Sequence, residues 1–242
     1  MPPRRFDGGG VAVVVDVLRA TSVITTSLAH GGRRVITVGD IESATTHAER
    51  LRSDGWNVRL CGERQCQRIE GFDRGNSPSE YVHDEHIDAI VLTTSNGTVA
   101  LESVATADTL YVASVLNAKT VVEALRTHRD IHLIASGTEG LATAEDIVLC
   151  GVLAKSLIDR SDRSWTCDDG TQIAMGLCPA DLTQVHRDEW WRDRLRNSLG
   201  GRNLIRRGHE PDIDLCSRWN SCSVLPTRIA SGPLTFAAGD TE

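Results

Sequence analysis

Between residues 11 and 158 the chain alternates between two kinds of segment, and this alternation restricts its fold more than anything else in the sequence. Six short runs rich in β-branched residues read as strands: VAVVVDV (11–17), RVITV (34–38), NVRLC (57–61), DAIVL (88–92), TLYVA (109–113) and IHLIA (131–135). Several are almost continuously apolar, as strands covered on both faces should be. Amphipathic helical stretches lie between most of them. Asp40 is a good N-cap for IESATTHAERLRSDG, which Gly55 closes. A second helix runs from Asn117 through AKTVVEALRTH. A third starts at Thr143, which resembles a capping box with Asp146 three positions on. The pattern predicts an α/β fold: one domain with a mostly parallel sheet covered by helices on both faces, an α/β/α sandwich.

From about residue 160 to 242 the character changes. DLTQVHRDEWWRDRLRNSLGG reads as one long amphipathic helix ending at its glycine pair. A short helix around RNLIRR and a final extended piece, SVLPTRIASGPLTF, follow. The expectation is a helical C-terminal extension that caps one end of the sheet. Hydrophobic residues make up 40% of the 242 and aromatic ones only 4%, so the interior should be Val, Ile, Leu and Ala.

A net charge of −7 gives no reason to expect nucleic-acid binding. The arginines between 187 and 207 are interleaved with Asp188, Glu189 and Asp193, as on a solvated helix face. Seven cysteines without a CxxC pair argue against a secreted disulfide framework. No apolar run approaches the roughly 20 residues of a membrane span, and the N-terminal stretch lacks a signal-peptide pattern. The expected protein is soluble and cytoplasmic, with no membrane or nucleic-acid partner; a homodimer is compatible with it.

In such a sheet, ligands bind beyond the carboxyl ends of the strands. After the first strand come Asp16, Arg19, Thr21 and Ser22. Gly62 and Glu63 follow the third, leading into GFDRGNSPSE (71–80), a stretch with neither strand nor helix periodicity. After the fourth comes TTSNGT, containing Thr94, Asn96, Gly97 and Thr98. Asn117 follows the fifth, and Ser136-Gly137-Thr138-Glu139-Gly140, then Glu145 and Asp146, follow the sixth. Each group alone is explained by capping and turn chemistry. Five of six strand ends carrying such groups on one edge point to a site.

Clustered carboxylates without His or Cys suit Mg²⁺. An arginine, glycine-linked amides and helix N-termini suit a phosphate or another oxyanion. Together they point to a Mg²⁺-assisted reaction on a small phosphorylated acid. No nucleophile elbow, GxGxxG or Walker A loop is present. His83-Asp84-Glu85-His86 precedes a strand, at the opposite edge, and reads as a solvated loop. Cys216 and Cys222 lack a second pair, so structural zinc is not expected.

DVLRATS, the Gly-Glu pair after a strand, GFDRGNSPSE, TTSNGT, SVLNA, SGTEG, AEDIVLCG and GRNLIRRGHEPDIDLC occur in that order, and with them the sequence resembles the 2-phosphosulfolactate phosphatase family. The resemblance covers most of residues 11–225. It implies a Mg²⁺-dependent phosphatase that converts 2-phospho-3-sulfolactate to sulfolactate and phosphate, a step of coenzyme M biosynthesis. The substrate is not fixed by it, and another 2-phosphorylated hydroxy acid, or a non-catalytic anion-binding domain on the same fold, is the alternative. Two departures stand out: TTSNGT where the family commonly has TTNGT, and Asn220 where it often has Asp.

Roles follow from the chemistry. Asp16, Glu63 and Asp73 are expected at Mg²⁺, directly or through water, unless one of them accepts the phosphoryl group. Arg19 binds phosphate or sulfonate, with Thr21 and Ser22 beside it. Thr94, Asn96, Gly97 and Thr98 cradle the second anionic group, and Asn117 also contacts substrate. Asn76 and Ser77 orient substrate oxygens, with Pro78 stiffening the turn. Glu145 or Asp146 protonates the leaving alkoxide.

Overall fold

The computed structural model describes residues 8–239. The six expected strands are β1 (Val11–Val15), β2 (Val35–Thr37), β3 (Val58–Arg64), β5 (Ala89–Thr93), β6 (Thr109–Ala113) and β7 (Ile131–Ala135). A two-residue β4 (Gln67–Arg68) folds back on β3, and a hairpin of β8 (Pro226–Ser231) and β9 (Leu234–Ala238) closes the described chain. Helices α1 (Ala20–Ala29), α2 (Ile41–Ser53), α3 (Gly97–Ser103), α4 (Ala118–Leu125) and α5 (Ala144–Asp159) connect the strands. Four more follow: α6 (Asp169–Gly176), α7 (Asp188–Asn197), α8 (Leu199–Arg206) and α9 (Glu210–Cys216).

The strands form one mixed, mostly parallel sheet in the order β4-β3-β5-β2-β9-β8-β6-β1-β7. Two parallel blocks, β3-β5-β2 and β6-β1-β7, lie on either side of the C-terminal hairpin. The hairpin pairs antiparallel with β2 on one side and with β6 on the other. The final extended piece of the sequence is therefore the seam of the sheet, not part of a cap over its end.

β1 is buried along its whole length. Val11, Val13 and Val15 pack with Val121 of α4, Leu149 of α5 and Trp191 of α7. Ala12 and Val14 face a second cluster that holds Val23 and Ile24 of α1 and Leu101 of α3. Side chains of this size contribute about 1.5–3 kcal/mol each when fully buried. A third cluster seats α2, through Ala44, Ala48 and Leu51, on β2, β3 and β5.

Side-chain caps open three of the helices α1–α9: Asp40 at α2, Asp168 at α6 and Ser198 at α8. Asp40 Oδ1 accepts from Ser43 N at 2.8 Å, and Gly55 has φ 86° just after α2. Three expectations are corrected. The predicted single helix across 181–201 is a 3₁₀ turn (Leu182–His186), α7 and α8, broken at Ser198. Ser198 Oγ accepts from Gly201 N at 3.0 Å, so the glycine pair opens α8 and does not end α7. Thr143 precedes α5, but its hydroxyl donates to Asp146 Oδ2 at 3.1 Å and accepts no backbone N–H. In the 83–86 loop His83, Glu85 and His86 are exposed, whereas Asp84 is fully buried. It accepts from Ser27 Oγ at 2.9 Å and is ion-paired to Arg74. A buried carboxylate needs such partners to stay charged.

Candidate active site

The carboxyl ends of the parallel strands share one edge. Asp16 follows β1, Glu63 lies near the end of β3, Ser95 and Asn96 follow β5, and Ser136 follows β7. The hairpin separates the two parallel blocks, yet their ends meet above it. Gly97, at the start of α3, packs on the start of α1. A Cβ there would lie 2.5 Å from Ala20 Cβ and 2.7 Å from Asp16 Oδ2, so only glycine allows the approach. Asn96 Oδ1 accepts from Glu139 N at 3.0 Å and ties the loop after β5 to the loop after β7.

Asp16 Oδ1 accepts from Ala20 N at 3.2 Å, and Ser136 Oγ donates to Oδ2 at 3.3 Å. Glu63 is held by Ser95 N and Cys66 N, both at 2.8 Å. Arg19, beyond a cis Leu18–Arg19 peptide, donates to Asp212 Oδ2 at 2.5 Å and to Cys66 O at 3.1 Å. Ser77 Oγ donates to the other Asp212 oxygen at 2.5 Å. Asp16, Arg19 and Glu63 are only 6%, 3% and 7% exposed.

Glu145 and Asp146, in the first turn of α5, complete a buried acidic group. Burial pushes the Asp16 carboxyl up to about 7; the Ala20 N–H pulls it down, while the charges of Glu63 and Glu145 add to the rise. Burial, then the charges of Asp16 and Glu145, hold Asp146 well above the carboxylate range. Burial also raises Glu145. Such a group needs shared protons or a cation.

The donors fit a hard divalent cation: they are oxygens only, and Glu145 Oε2 is buried with no hydrogen-bond partner. Among the described residues no three Asp, Glu, His or Cys side chains stand as a ready-made metal cluster. Mg²⁺ is commonly held by one or two carboxylates with waters and substrate phosphate; Asp16 and Glu63 are the carboxylates that would serve it.

A family model described as 2-phosphosulpholactate phosphatase matches residues 2–230. The chain belongs to this family. A relative from Thermotoga petrophila is 38% identical over 220 residues, covering 90% of this chain and 88% of its own. One from Pseudothermotoga lettingae is 36% identical over 221 residues, covering 90% and 89%. A third, from Symbiobacterium thermophilum, is 35% identical over 228 residues, covering 93% and 94%. All three are named probable 2-phosphosulfolactate phosphatase.

Several expected site residues of this family member are occupied with other tasks. Asp73 is paired with Arg52 at 2.6 Å and accepts from Leu60 N at 2.7 Å. Leu60 precedes Glu63 by three positions, about 10 Å along the strand, so Asp73 is not gathered with Asp16. Thr21 and Ser22 turn their hydroxyls onto Asp16 O and Val17 O, at 2.7 and 2.8 Å. Thr94 Oγ1 caps α3 by accepting from Thr98 N at 3.2 Å, and Thr98 Oγ1 donates to Thr94 O at 2.8 Å. Asn117 is a structural clip. Its Oδ1 accepts from Ser114 N and Oγ at 2.8 and 3.1 Å, and its Nδ2 donates to Val112 O and Val224 O at 3.1 and 3.2 Å. All four hydrogen-bonding positions of its amide are filled.

The GFDRGNSPSE loop divides its labour. Asp73 and Arg74 anchor it, Glu80 accepts from Gly75 N at 3.0 Å, and Ser77 reaches Asp212. Asn76 is buried, with an unpartnered Oδ1. Sequence reasoning missed Asp212. The signal was available in the Asp-Ile of EPDIDLC, but nothing local links it to Arg19, 193 positions earlier.

Proposed function

We propose that this chain is a magnesium-dependent phosphatase that hydrolyses 2-phospho-3-sulfolactate to 3-sulfolactate and phosphate, the reaction found in coenzyme M biosynthesis. Family membership supports the substrate. The observation that carries the chemistry is the buried set of Asp16, Glu63 and Arg19 at one sheet edge. In the net reaction a water oxygen bonds to phosphorus and the bond from phosphorus to the C2 oxygen breaks. That oxygen leaves as a hydroxyl.

Asp16 and Glu63 would hold the ion. Magnesium supplies charge neutralisation at the phosphate and a lowered pKa for bound water. Arg19 uses its remaining guanidinium N–H groups on phosphate oxygens, while Asp212 and Cys66 O fix its plane. The N–H groups of Asn96 and Gly97, at the start of α3, take the second anionic group. Asn76, whose Oδ1 has no partner within the described chain, is left to orient substrate oxygens. The low exposure of these groups keeps bulk water away and strengthens each interaction.

The test is phosphate release from 2-phospho-3-sulfolactate and from a panel of phosphorylated hydroxy acids, with Mg²⁺ and with EDTA. Mg²⁺-dependent release, fastest for the sulfonated substrate, is expected. Binding of these anions without release of phosphate from any of them would instead make the chain a non-catalytic anion-binding domain.

A further inference from the structure

Two non-glycine residues with positive φ stand side by side, Gln65 at 53° and Cys66 at 65°. They form the two-residue turn between β3 and β4, with Arg64 paired to Gln67 and Glu63 to Arg68 beside it. A hairpin turn with both central residues left-handed usually takes Asn and Gly. Gln and Cys are strained there, and strain of this kind persists where the surroundings impose it and collects at functional sites.

The surroundings here are the site itself. The Cys66 N–H donates to Glu63 Oε2 at 2.8 Å, and the Cys66 carbonyl accepts from Arg19 at 3.1 Å. The main chain of one residue therefore holds an acid and a base of the site, one on each side of its Cα. Beyond Glu63, Ser95 N holds the other carboxylate oxygen at 2.8 Å. Beyond Arg19, Asp212 continues the series to Ser77. The connections run from the end of β5 to α9, and Cys66 is their middle link. Its side chain has a different setting. The thiol packs against the core cluster that contains Trp191, and burial raises its pKa, so it stays protonated.

We propose that Cys66 is a positioning residue: its main chain, held left-handed in the turn, sets Glu63 and Arg19 relative to one another, and the reaction depends on that conformation and not on the thiol. This rests on the reading of the site above. Because one residue fixes both groups, a shift of the turn disturbs the carboxylate and the phosphate-binding arginine together.

The experiment uses the full chain and two readouts. Inorganic phosphate binding is measured by calorimetry in EDTA, which reports Arg19 without metal. Turnover is measured as kcat/KM with Mg²⁺ on the best phosphorylated hydroxy acid. Cys66→Val keeps a side chain against the core but, being β-branched, opposes φ 65°. It should weaken phosphate binding and lower kcat/KM by about 10- to 100-fold each. Cys66→Gly gives up the packing but adopts φ 65° freely. It should melt lower than wild type and yet recover most of both losses, whereas a merely structural role would make binding and turnover follow the melting temperature. Should Cys66→Val not fold, Gln65→Val strains the same turn from an exposed position and carries the same expectation. Wild-type phosphate binding and kcat/KM in the folded valine variant overturn this inference alone. A glycine variant as impaired as the valine one overturns it too. A wild type that neither binds phosphate nor hydrolyses any of the acids removes the reading of the site, and this inference with it.

Discussion

Helix α9 carries three acids in arginine ion pairs, Glu210, Asp212 and Asp214, and comparing the last two tests how the C-terminal segment supports the site. Asp212 meets Arg19 at 2.5 Å with side chains 5% and 2% exposed; Asp214 meets Arg192 at 2.6 Å with side chains 59% and 40% exposed. The distances match, so burial decides the outcome. Asp212→Ala leaves the Arg19 guanidinium buried without its counter-charge, a loss of about 3–5 kcal/mol, and also strips Ser77 of its acceptor. Asp214→Ala breaks a screened surface pair worth about 0–1 kcal/mol. For a chain of this length 1 kcal/mol moves the melting temperature by about 2–4 °C. Asp212→Ala should therefore lower it by roughly 6–20 °C, and Asp214→Ala by less than about 4 °C. Differential scanning calorimetry reads both. A double variant, Arg19→Met with Asp212→Leu, should recover much of the stability but none of the activity, since the buried charges vanish together. Equal losses from the two single alanine variants would refute the argument that burial, and not contact distance, sets the worth of these pairs.

Three further outcomes are expected. In EDTA, Asp16 makes stability fall as pH rises. Its folded pKa of about 7 lies above the unfolded 3.8, so protonated folded protein is favoured up to that range. The penalty grows between about pH 4 and 7 to an order of 4 kcal/mol; thermal melts with and without Asp16→Asn should show it, and a flat difference between the two would contradict it. Asn117→Ala removes a four-way clip and should cost about 2–4 kcal/mol in urea unfolding while leaving KM unchanged; a raised KM with full stability would return Asn117 to the substrate. Gly97→Ala drives a methyl into Ala20 and Asp16; an overpacking cost of about 1–3 kcal/mol and a fall in kcat/KM of about 100-fold should appear together in melting and steady-state assays.

The strands and helices were legible because burial on both faces leaves a direct record in residue type: VAVVV and AIVLT can hardly be anything else. The edge holding the site was legible too, because parallel connectivity sends every strand's carboxyl end the same way. What could not be read was partnership at a distance. Asp73, Asp84, Asn117 and Asp212 are polar residues in plausible positions, and only three-dimensional neighbours reveal that the first three are spent on Arg52, Arg74 and the Ser114 turn. Periodicity likewise marks 226–238 as extended but says nothing about which strands it joins. The break at Ser198 was missed for a related reason, since the apolar stripe continues through it and one hydroxyl reverses the local backbone.

The hairpin at the seam also sets an order of events during synthesis. At about 5–20 residues per second, roughly 10–40 seconds separate the making of β1 from that of β8. From the moment each is made until the hairpin arrives, β2 and β6 are open edges, the kind of surface on which other chains pair. A chain stopped before Pro226 is thus not a slightly shortened enzyme. It is two half-sheets without their common strands, carrying all the acids of the site with no continuous floor beneath them.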